Sequence, residues 1–308
     1  MRQKRLLSAL LLILVLLLVS GCSGLRKPKE EASQQTFRTG TQGLVMRFIQ
    51  GGPPPEVYEG DRMDVTVEYI NKGAFDITSG YIYLSGFDKN YLRFDRTMLA
   101  GLAAKGKDEF NPLGNIINTF TFTVSPVTMP DNADIFSQSI KATACYKYRT
   151  YAIGKVCIDP DPYGIKYEEK VCDFRSTTVG GSQGAPVAVT SIEPQTSRNR
   201  VQYKVNIANV GGGTVISNSA PITDCHSKLE RTDIDKVDIS ARFSDKEMLC
   251  EPSPVYITGG SGFAICHWEG DIGQEAYETS LTVQLDYGYR NSIATDVRIH
   301  RVPGKYTY

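Results

Sequence analysis

The chain has 308 residues, of which 41% are hydrophobic, 10% aromatic and 22% charged, a composition typical of a folded globular protein. Lys and Arg together number 34, as do Asp and Glu, so the strongly basic surface that nucleic-acid binding requires is not expected. The length is enough for about two domains, each with its own core.

The N-terminus has the features of a secretory signal peptide: basic residues, then an uncharged apolar run from Leu6 to Val19. The run is shorter than the roughly 20 residues of a membrane-spanning helix. It ends in Val19-Ser20-Gly21-Cys22, which resembles the lipobox of prokaryotic lipoproteins, where the Cys is acylated and the chain is cut before it. The resemblance implies that residues 1–21 are removed and that Cys22 carries a lipid anchor on the extracytoplasmic face of the cell membrane. A plain secretory peptide whose Cys forms a disulfide is the alternative.

Residues 22–43 are polar and have no hydrophobic period. Such a segment is predicted to be a flexible tether, and as a coil it would hold the first domain about 25 Å from the membrane.

Beyond the tether, short alternating runs rich in β-branched and aromatic residues are broken by Gly, Pro, Asn and Asp. The runs Met63–Ile70 and Val201–Ile207 alternate with period two, which predicts strands with one buried face. Only Arg96–Lys105 has a helical pattern, and Gly101 within it and Gly106 after it limit it to a short surface helix. The predicted fold class is therefore all-β.

The sequence contains an internal repeat in two places. Val67-x-Tyr69-x-Asn71-x-Gly73 matches Val205-x-Ile207-x-Asn209-x-Gly211 at an offset of 138, and a strand ending in Tyr146-x-Tyr148-Arg149 matches one ending in Tyr287-x-Tyr289-Arg290 at an offset of 141. The first motif ends in Asn-x-Gly, where both residues tolerate the positive φ of a turn. Two domains are predicted, 44–179 and 185–308, joined by the flexible Gly-rich linker 180–184.

Strands and turns at this spacing favour two tandem immunoglobulin-like antiparallel β-sandwiches. The stretch Tyr203–Gly213, and in part Val65–Gly73, resembles the second-strand motif of CARDB-type immunoglobulin-like domains of archaeal and bacterial surfaces. The resemblance implies a surface adhesion or spacer module and brings no catalytic residue with it.

Six cysteines remain besides Cys22, and an exported chain is expected to oxidise them. The favoured pairs are Cys157 with Cys172, which closes a loop absent from the second copy, and Cys250 with Cys266. Cys145 and Cys225 are then left to join the two domains or to stay as buried thiols. A rival pairing of Cys145 with Cys157 remains open.

Seventeen Tyr are many, and several gather near one end of the first domain. Tyr146 and Tyr148 have counterparts in the second copy, which favours a structural role. Tyr151, Tyr163 and Tyr167 have none, so they are the candidate surface for a protein or glycan ligand.

No catalytic or cofactor site is predicted. Ser182 has the Gly-x-Ser-x-Gly spacing of a nucleophile elbow but lies in the linker, without the following helix that the chemistry needs. Asp159 and Asp161 begin like a calcium loop, but Lys170 replaces the required Glu, so a rigid turn is expected. Weak calcium binding at Asp159, Asp161 and Glu169 is the alternative.

The sequence thus predicts a membrane-anchored cell-surface lipoprotein, not an enzyme, that serves adhesion, ligand binding or spacing. The alternative is a structural subunit of a cell-envelope assembly, such as a surface layer or secretion machinery.

Overall fold

The computed structural model describes residues 37–165, 170–180, 182–196, 200–223, 225–227 and 229–302. Within these ranges the regular structure is β-strand, apart from a 3-10 turn at Arg231–Asp233. The antiparallel sheets form a sandwich-like arrangement, so the predicted all-β class is confirmed.

The strands form a small and a large sheet. In chain order they are β1 (Leu44–Phe48), β2 (Glu56–Tyr58), β3 (Met63–Asn71), β4 (Gly80–Ser85), β5 (Met98–Ala100), β6 (Ile117–Val124), β7 (Ile135–Ile158), β8 (Thr177–Thr178), β9 (Val187–Pro194), β10 (Arg200–Asn209), β11 (Thr214–Ile216), β12 (Lys236–Phe243), β13 (Lys246–Glu251), β14 (Val255–Tyr256), β15 (Ser261–Glu269) and β16 (Tyr277–His300). The small sheet has the order β1-β3-β6, and the large one β5-β4-β7-β16-β12-β13-β15-β10-β9-β8. Three short strands lie beside this path, with β2 and β11 on β16 and β14 on β12.

The two longest strands, β7 and β16, pair antiparallel along all 24 residues of each and form what we call the central ribbon. Lys147 lies opposite Gly288, and these positions differ by 141, the offset of the second repeat. Equivalent residues of the two copies are therefore arranged symmetrically about this pair. The two copies meet as the subunits of a two-fold dimer do, within one chain.

The predicted flexible linker is wrong. Strand β8 pairs with β9, so residues 180–184 connect two strands of a hairpin. The buried side chain of Gln183 fixes this connection, because its amide oxygen accepts from Val189 N (2.9 Å) and its nitrogen donates to Val189 O (2.7 Å). Ser182 has a structural contact as well, since its Oγ accepts from Gly40 N at 2.7 Å. All described residues belong to one compact unit.

Four tyrosines of the ribbon, Tyr146, Tyr148, Tyr287 and Tyr289, are almost fully buried in the core. Tyr148 OH donates to Asn71 Oδ1 (3.1 Å), and Tyr289 OH donates to Asn209 Oδ1 (3.0 Å). One repeated motif therefore supplies the asparagine acceptor and the other the tyrosine donor of a hydrogen bond that forms in each copy. The structural role predicted for these tyrosines agrees with their burial.

The glycine two residues after each of these asparagines is needed because the tyrosine hydroxyl comes close to its Cα, and not because its φ is positive. A Cβ on Gly73 would overlap Tyr148 OH, and one on Gly211 would lie 2.7 Å from Tyr289 OH. Only glycine lets each tyrosine reach its asparagine.

The predicted surface helix over Arg96–Lys105 is also wrong. Met98–Ala100 forms β5 and pairs with β4, and Gly101 follows with a φ of +73° that interrupts a helix. Leu102 is completely buried, so tertiary packing overrides the local helical pattern.

The predicted tether is shorter than residues 22–43. Lys107 Nζ donates to Thr39 O (2.8 Å), and Gly184 N donates to Gly40 O (2.9 Å), so the fold already holds the chain there. The signal peptide, Cys22 and the tether up to residue 36 lie outside the described residues.

Candidate functional site

Three disulfides include all six cysteines that follow Cys22 in the sequence. Both favoured pairs, Cys157–Cys172 and Cys250–Cys266, are present, the second between facing residues of β13 and β15. Cys145 is bonded to Cys225, with a Cα–Cα distance of 6.3 Å, and this bond joins the two copies. The rival pairing of Cys145 with Cys157 is wrong.

The outer face of the central ribbon is partly covered by a loop of the second copy, residues 217–223 and 225–226, which we call the covering loop. Lys147 Nζ, at the centre of the ribbon, donates to the carbonyl oxygens of Asn218 (2.5 Å) and Ala220 (2.8 Å). Burial under the loop lowers the pKa of Lys147. Tyr83 OH donates to Thr223 O, and the Tyr83 ring stacks on His226 with centroids 4.1 Å apart.

Beside the covering loop lies a cationic cleft of about 500 Å³. Its lining includes Lys141 and Thr143 of β7, Arg290 and Ser292 of β16, and residues 211–214. Arg290 donates from one nitrogen to Cys225 O (3.0 Å) and from another to Thr214 Oγ1 (3.2 Å). Arg290, one of the two basic side chains of the cleft, therefore helps to hold the covering loop in place.

The same face of the ribbon carries a second cavity, on the opposite side of the Lys147–Gly288 pair from the cleft. It is an open groove of about 390 Å³, which we call the Tyr151 groove. It is lined by Tyr151, Ser240, Ala241, Arg242, Glu247, Met248, Thr282 and Gln284. The strand register brings these residues together, because Tyr151 faces Gln284, Gln284 faces Ser240, and Thr282 faces Arg242.

The groove and the cleft are equivalent parts of the two copies. Tyr151, Thr282 and Gln284 correspond, through the 141-residue offset, to Ser292, Lys141 and Thr143 of the cleft. Ser240 faces Gln284, and Tyr83 faces Thr143. Tyr83, against which the covering loop packs, thus stands where the groove has the small Ser240.

Charged side chains position Tyr151. Arg149 Nε contacts Asp286 Oδ1 at 2.5 Å, and Arg149 Nη1 donates to Tyr151 OH at 3.2 Å. Burial acts to lower the pKa of Arg149, but its hydrogen bonds to Asp286 and Tyr151 outweigh that and raise the pKa. The guanidinium of Arg38 lies 5.3 Å from the centre of the Tyr151 ring, a cation–π distance.

Of the other two predicted binding tyrosines, Tyr163 is not among the residues that line this groove. Tyr163 lies in the loop that the Cys157–Cys172 disulfide closes, with 61% of its surface exposed. Tyr167 lies outside the described residues. Of the two described tyrosines of the predicted surface, Tyr151 lines the groove.

The Asp159 loop is held by a lysine. Lys170 Nζ lies 2.6 Å from Asp159 Oδ2 and also donates to Asp161 O, while Asp159 Oδ1 accepts from Asp161 N (2.8 Å). The ammonium group thus occupies one carboxylate oxygen of Asp159, while Asp161 Oδ1 accepts a hydrogen bond from Ile165 N (3.0 Å). Within the described ranges, three or more His, Cys, Asp or Glu side chains do not come together as a metal site.

Where the structure describes the chain, we find no helix with the length and apolar character to cross a membrane. The sequence matches neither a known protein-family profile nor a curated protein.

Among solved structures, the chain is similar to the E. coli chaperone DraB, with 9% identity, 75% of this chain and 89% of that chain covered, and a TM-score of 0.20. It is also similar to the CupB6 tip adhesin from Pseudomonas aeruginosa, with 8% identity, 86% and 96% of the two chains covered, and a TM-score of 0.17. At these values the fold assignment rests on the strand pairing itself.

Sequence reasoning missed most of the groove. Ser240, Arg242 and Glu247 belong to β12 and β13, about 90 residues from Tyr151, and only the pairing of β7, β16 and β12 brings them together. The internal repeat was the one sequence signal for these residues. It predicts that the strand paired with β16, which is β12, is equivalent to the strand paired with β7, which is β4.

Proposed function

We propose that the protein is a lipid-anchored, non-catalytic binding protein of the extracytoplasmic cell surface, with a glycan ligand in the Tyr151 groove. The CARDB-type resemblance belongs to the same proposal. The observation that carries it is the contrast between the two halves of one ribbon face: one holds a disulfide-linked loop and a cationic cleft, and the other an uncovered polar groove with an aromatic residue.

The anchor is supported by cysteine arithmetic. Seven cysteines are present, and the six described ones pair among themselves, so Cys22 has no intramolecular disulfide partner left. This supports a lipid on Cys22 over a disulfide within the chain. A Cys preceded by Ser20 and Gly21 after an apolar run is the acceptor that a lipoprotein signal requires.

The glycan assignment follows from the side chains of the groove. Hydroxyls of Ser240 and Thr282 and the amide of Gln284 both donate and accept hydrogen bonds, as sugar hydroxyls do. Tyr151 adds apolar area with a polar tip. A groove of about 390 Å³ is in the size range of sites for small ligands.

Intact mass of the detergent-extracted protein, with and without reduction and alkylation, tests the anchor. We expect a chain that begins at Cys22, carries added lipid mass and gains six alkyl groups only after reduction. A chain that begins elsewhere and carries no lipid would overturn the anchor.

Tyr151→Ala tests the groove, with Tyr256→Ala as the matched control because Tyr256 is 57% exposed and lies on β14. Binding to a panel of immobilised cell-surface glycans selects the ligand, and titration calorimetry measures its affinity. We expect Tyr151→Ala to weaken binding about tenfold or more, since burial of one aromatic side chain contributes about 1.5–3 kcal/mol. An equal loss of glycan affinity in both variants would refute the groove as the binding site. A stoichiometric protein partner, with no glycan bound, would favour an envelope assembly.

A further inference from the structure

Residues 108–117, which comprise a loop and the first residue of β6 and which we call the apolar loop, expose an unusual amount of hydrophobic surface. Phe110 is 90% exposed, Leu113 68%, Ile116 45% and Ile117 54%. Single exposed apolar side chains are common, but four within eight residues form a patch of the kind that marks an interaction site.

The loop is built to hold these side chains outward. Asp108 Oδ1 accepts hydrogen bonds from Phe110 N (2.8 Å) and Asn111 N (2.7 Å), and Gly114 N donates to Asn111 O (3.2 Å). Gly114 has a φ of +58° and packs so closely that an added Cβ would lie 2.9 Å from Asn71 O. The turn is therefore held by hydrogen bonds within the loop, two of them to the Asp108 side chain, and the apolar side chains are exposed on it.

The chain that leads back to Cys22 leaves the fold beside this loop. Lys107 Nζ donates to Thr39 O (2.8 Å), and a Cβ on Gly114 would lie 2.9 Å from Lys107 Cγ. Lys107 thus contacts both the end of the tether and the base of the apolar loop. The 17 residues from Cys22 to Thr39 span about 60 Å when fully extended and about 23 Å as a coil.

We propose that the apolar loop inserts into the same membrane that holds Cys22, as a second contact that orients the domain. This inference rests on the lipid anchor of the proposed function. The anchor keeps the loop within reach of the bilayer, and a lipid surface accepts exposed Phe, Leu and Ile without a specific partner. Lys72, which donates to Asn115 Oδ1 (3.1 Å), joins Lys107 at the base of the loop, where cations suit lipid phosphates.

Tryptophan fluorescence measures insertion directly. The protein has one tryptophan, so Phe110→Trp in a Trp268→Phe background gives a single reporter on the loop. The matched control is Leu249→Trp in the same background, because Leu249 is 59% exposed and lies on β13 of the large sheet. The purified mature protein is reconstituted into vesicles of equal parts phosphatidylcholine and phosphatidylglycerol, with or without bromine on the phosphatidylcholine acyl chains.

We expect brominated chains to lower the fluorescence of the Phe110→Trp protein about twofold and to leave the Leu249→Trp protein unchanged. Adding Leu113→Asp to the Phe110→Trp protein should abolish the quenching, because a charge opposes insertion. Equal quenching at both positions, or none on the loop, would overturn the inference. Self-association through the loop without quenching would overturn it too, in favour of a second copy as the occupant.

Mass spectrometry of the same samples separates this inference from the anchor. Lipid on Cys22 without quenching on the loop would leave the anchor standing and refute insertion. Quenching on the loop in a chain without lipid would keep insertion and refute the anchor.

Discussion

Replacing Asn71 by Ala should destabilise the protein far more than the same change at the equivalent Asn209. Asn71 is fully buried, and its side chain makes four hydrogen bonds: Nδ2 donates to Phe75 O (2.7 Å) and Ala104 O (3.1 Å), while Oδ1 accepts from Gly73 N (3.0 Å) and Tyr148 OH (3.1 Å). Its truncation leaves all four partners without their bond in a buried site.

Asn209 is half-buried and has fewer contacts. Its Nδ2 donates to Gly213 O (2.8 Å), and its Oδ1 accepts from Tyr289 OH (3.0 Å). A buried polar group left unsatisfied costs about 1–3 kcal/mol, and such costs are only partly additive. We therefore expect Asn71→Ala to lower the free energy of unfolding by about 3–5 kcal/mol and Asn209→Ala by about 1–2 kcal/mol.

Urea unfolding followed by the fluorescence of Trp268, the single tryptophan, measures both changes. Asn90→Ala is the control, since Asn90 is exposed and should shift stability by less than about 0.5 kcal/mol. A double-mutant cycle of Asn71→Ala with Tyr148→Phe should give a coupling of about 1 kcal/mol. An equal loss at Asn71 and Asn209, or a coupling near zero, would refute the assignment of these bonds.

Two further predictions concern cross-links and charge. Replacing Cys157 and Cys172 together by Ser should lower stability by about 3 kcal/mol, since their disulfide closes a loop of 15 residues; an unchanged urea midpoint would contradict this. Burial acts to raise the pKa of Asp76, but hydrogen bonds from Lys105 Nζ (2.5 Å) and Gly106 N (2.8 Å) outweigh it and lower the pKa. This stabilisation is present above the unfolded pKa near 3.8 and is lost as the pH falls through the folded value, so Asp76→Asn should destabilise at pH 7 and lose its effect in acid, measured as the thermal midpoint against pH.

The sequence predicted the features that depend on pattern within one strand or on repetition. The alternation in Met63–Ile70 predicted a strand because that signal lies within a few residues. The repeated tyrosines predicted core positions because they occur in both copies. The Gly-rich 180–184 was misread because its composition is that of a linker, whereas the amide of Gln183 bonds Val189 in a contact that composition does not encode. The groove around Tyr151 depends on three-strand register and was out of reach for the same reason.

The two-fold register of the ribbon makes the covered and the uncovered halves of one face equivalent, so the residues at matching positions can be compared directly. Arg149 lies opposite Asp286, and Arg290 lies opposite Cys145, positions that correspond through the 141-residue offset. An acid opposite Arg149 forms an ion pair that holds Tyr151 at the open groove. A cysteine opposite Arg290 instead bonds Cys225, and Arg290 donates to that residue's carbonyl oxygen, so the covering loop is fixed there. The residue facing each arginine thus differs between the two copies, as does the presence of a covering loop over that half of the ribbon.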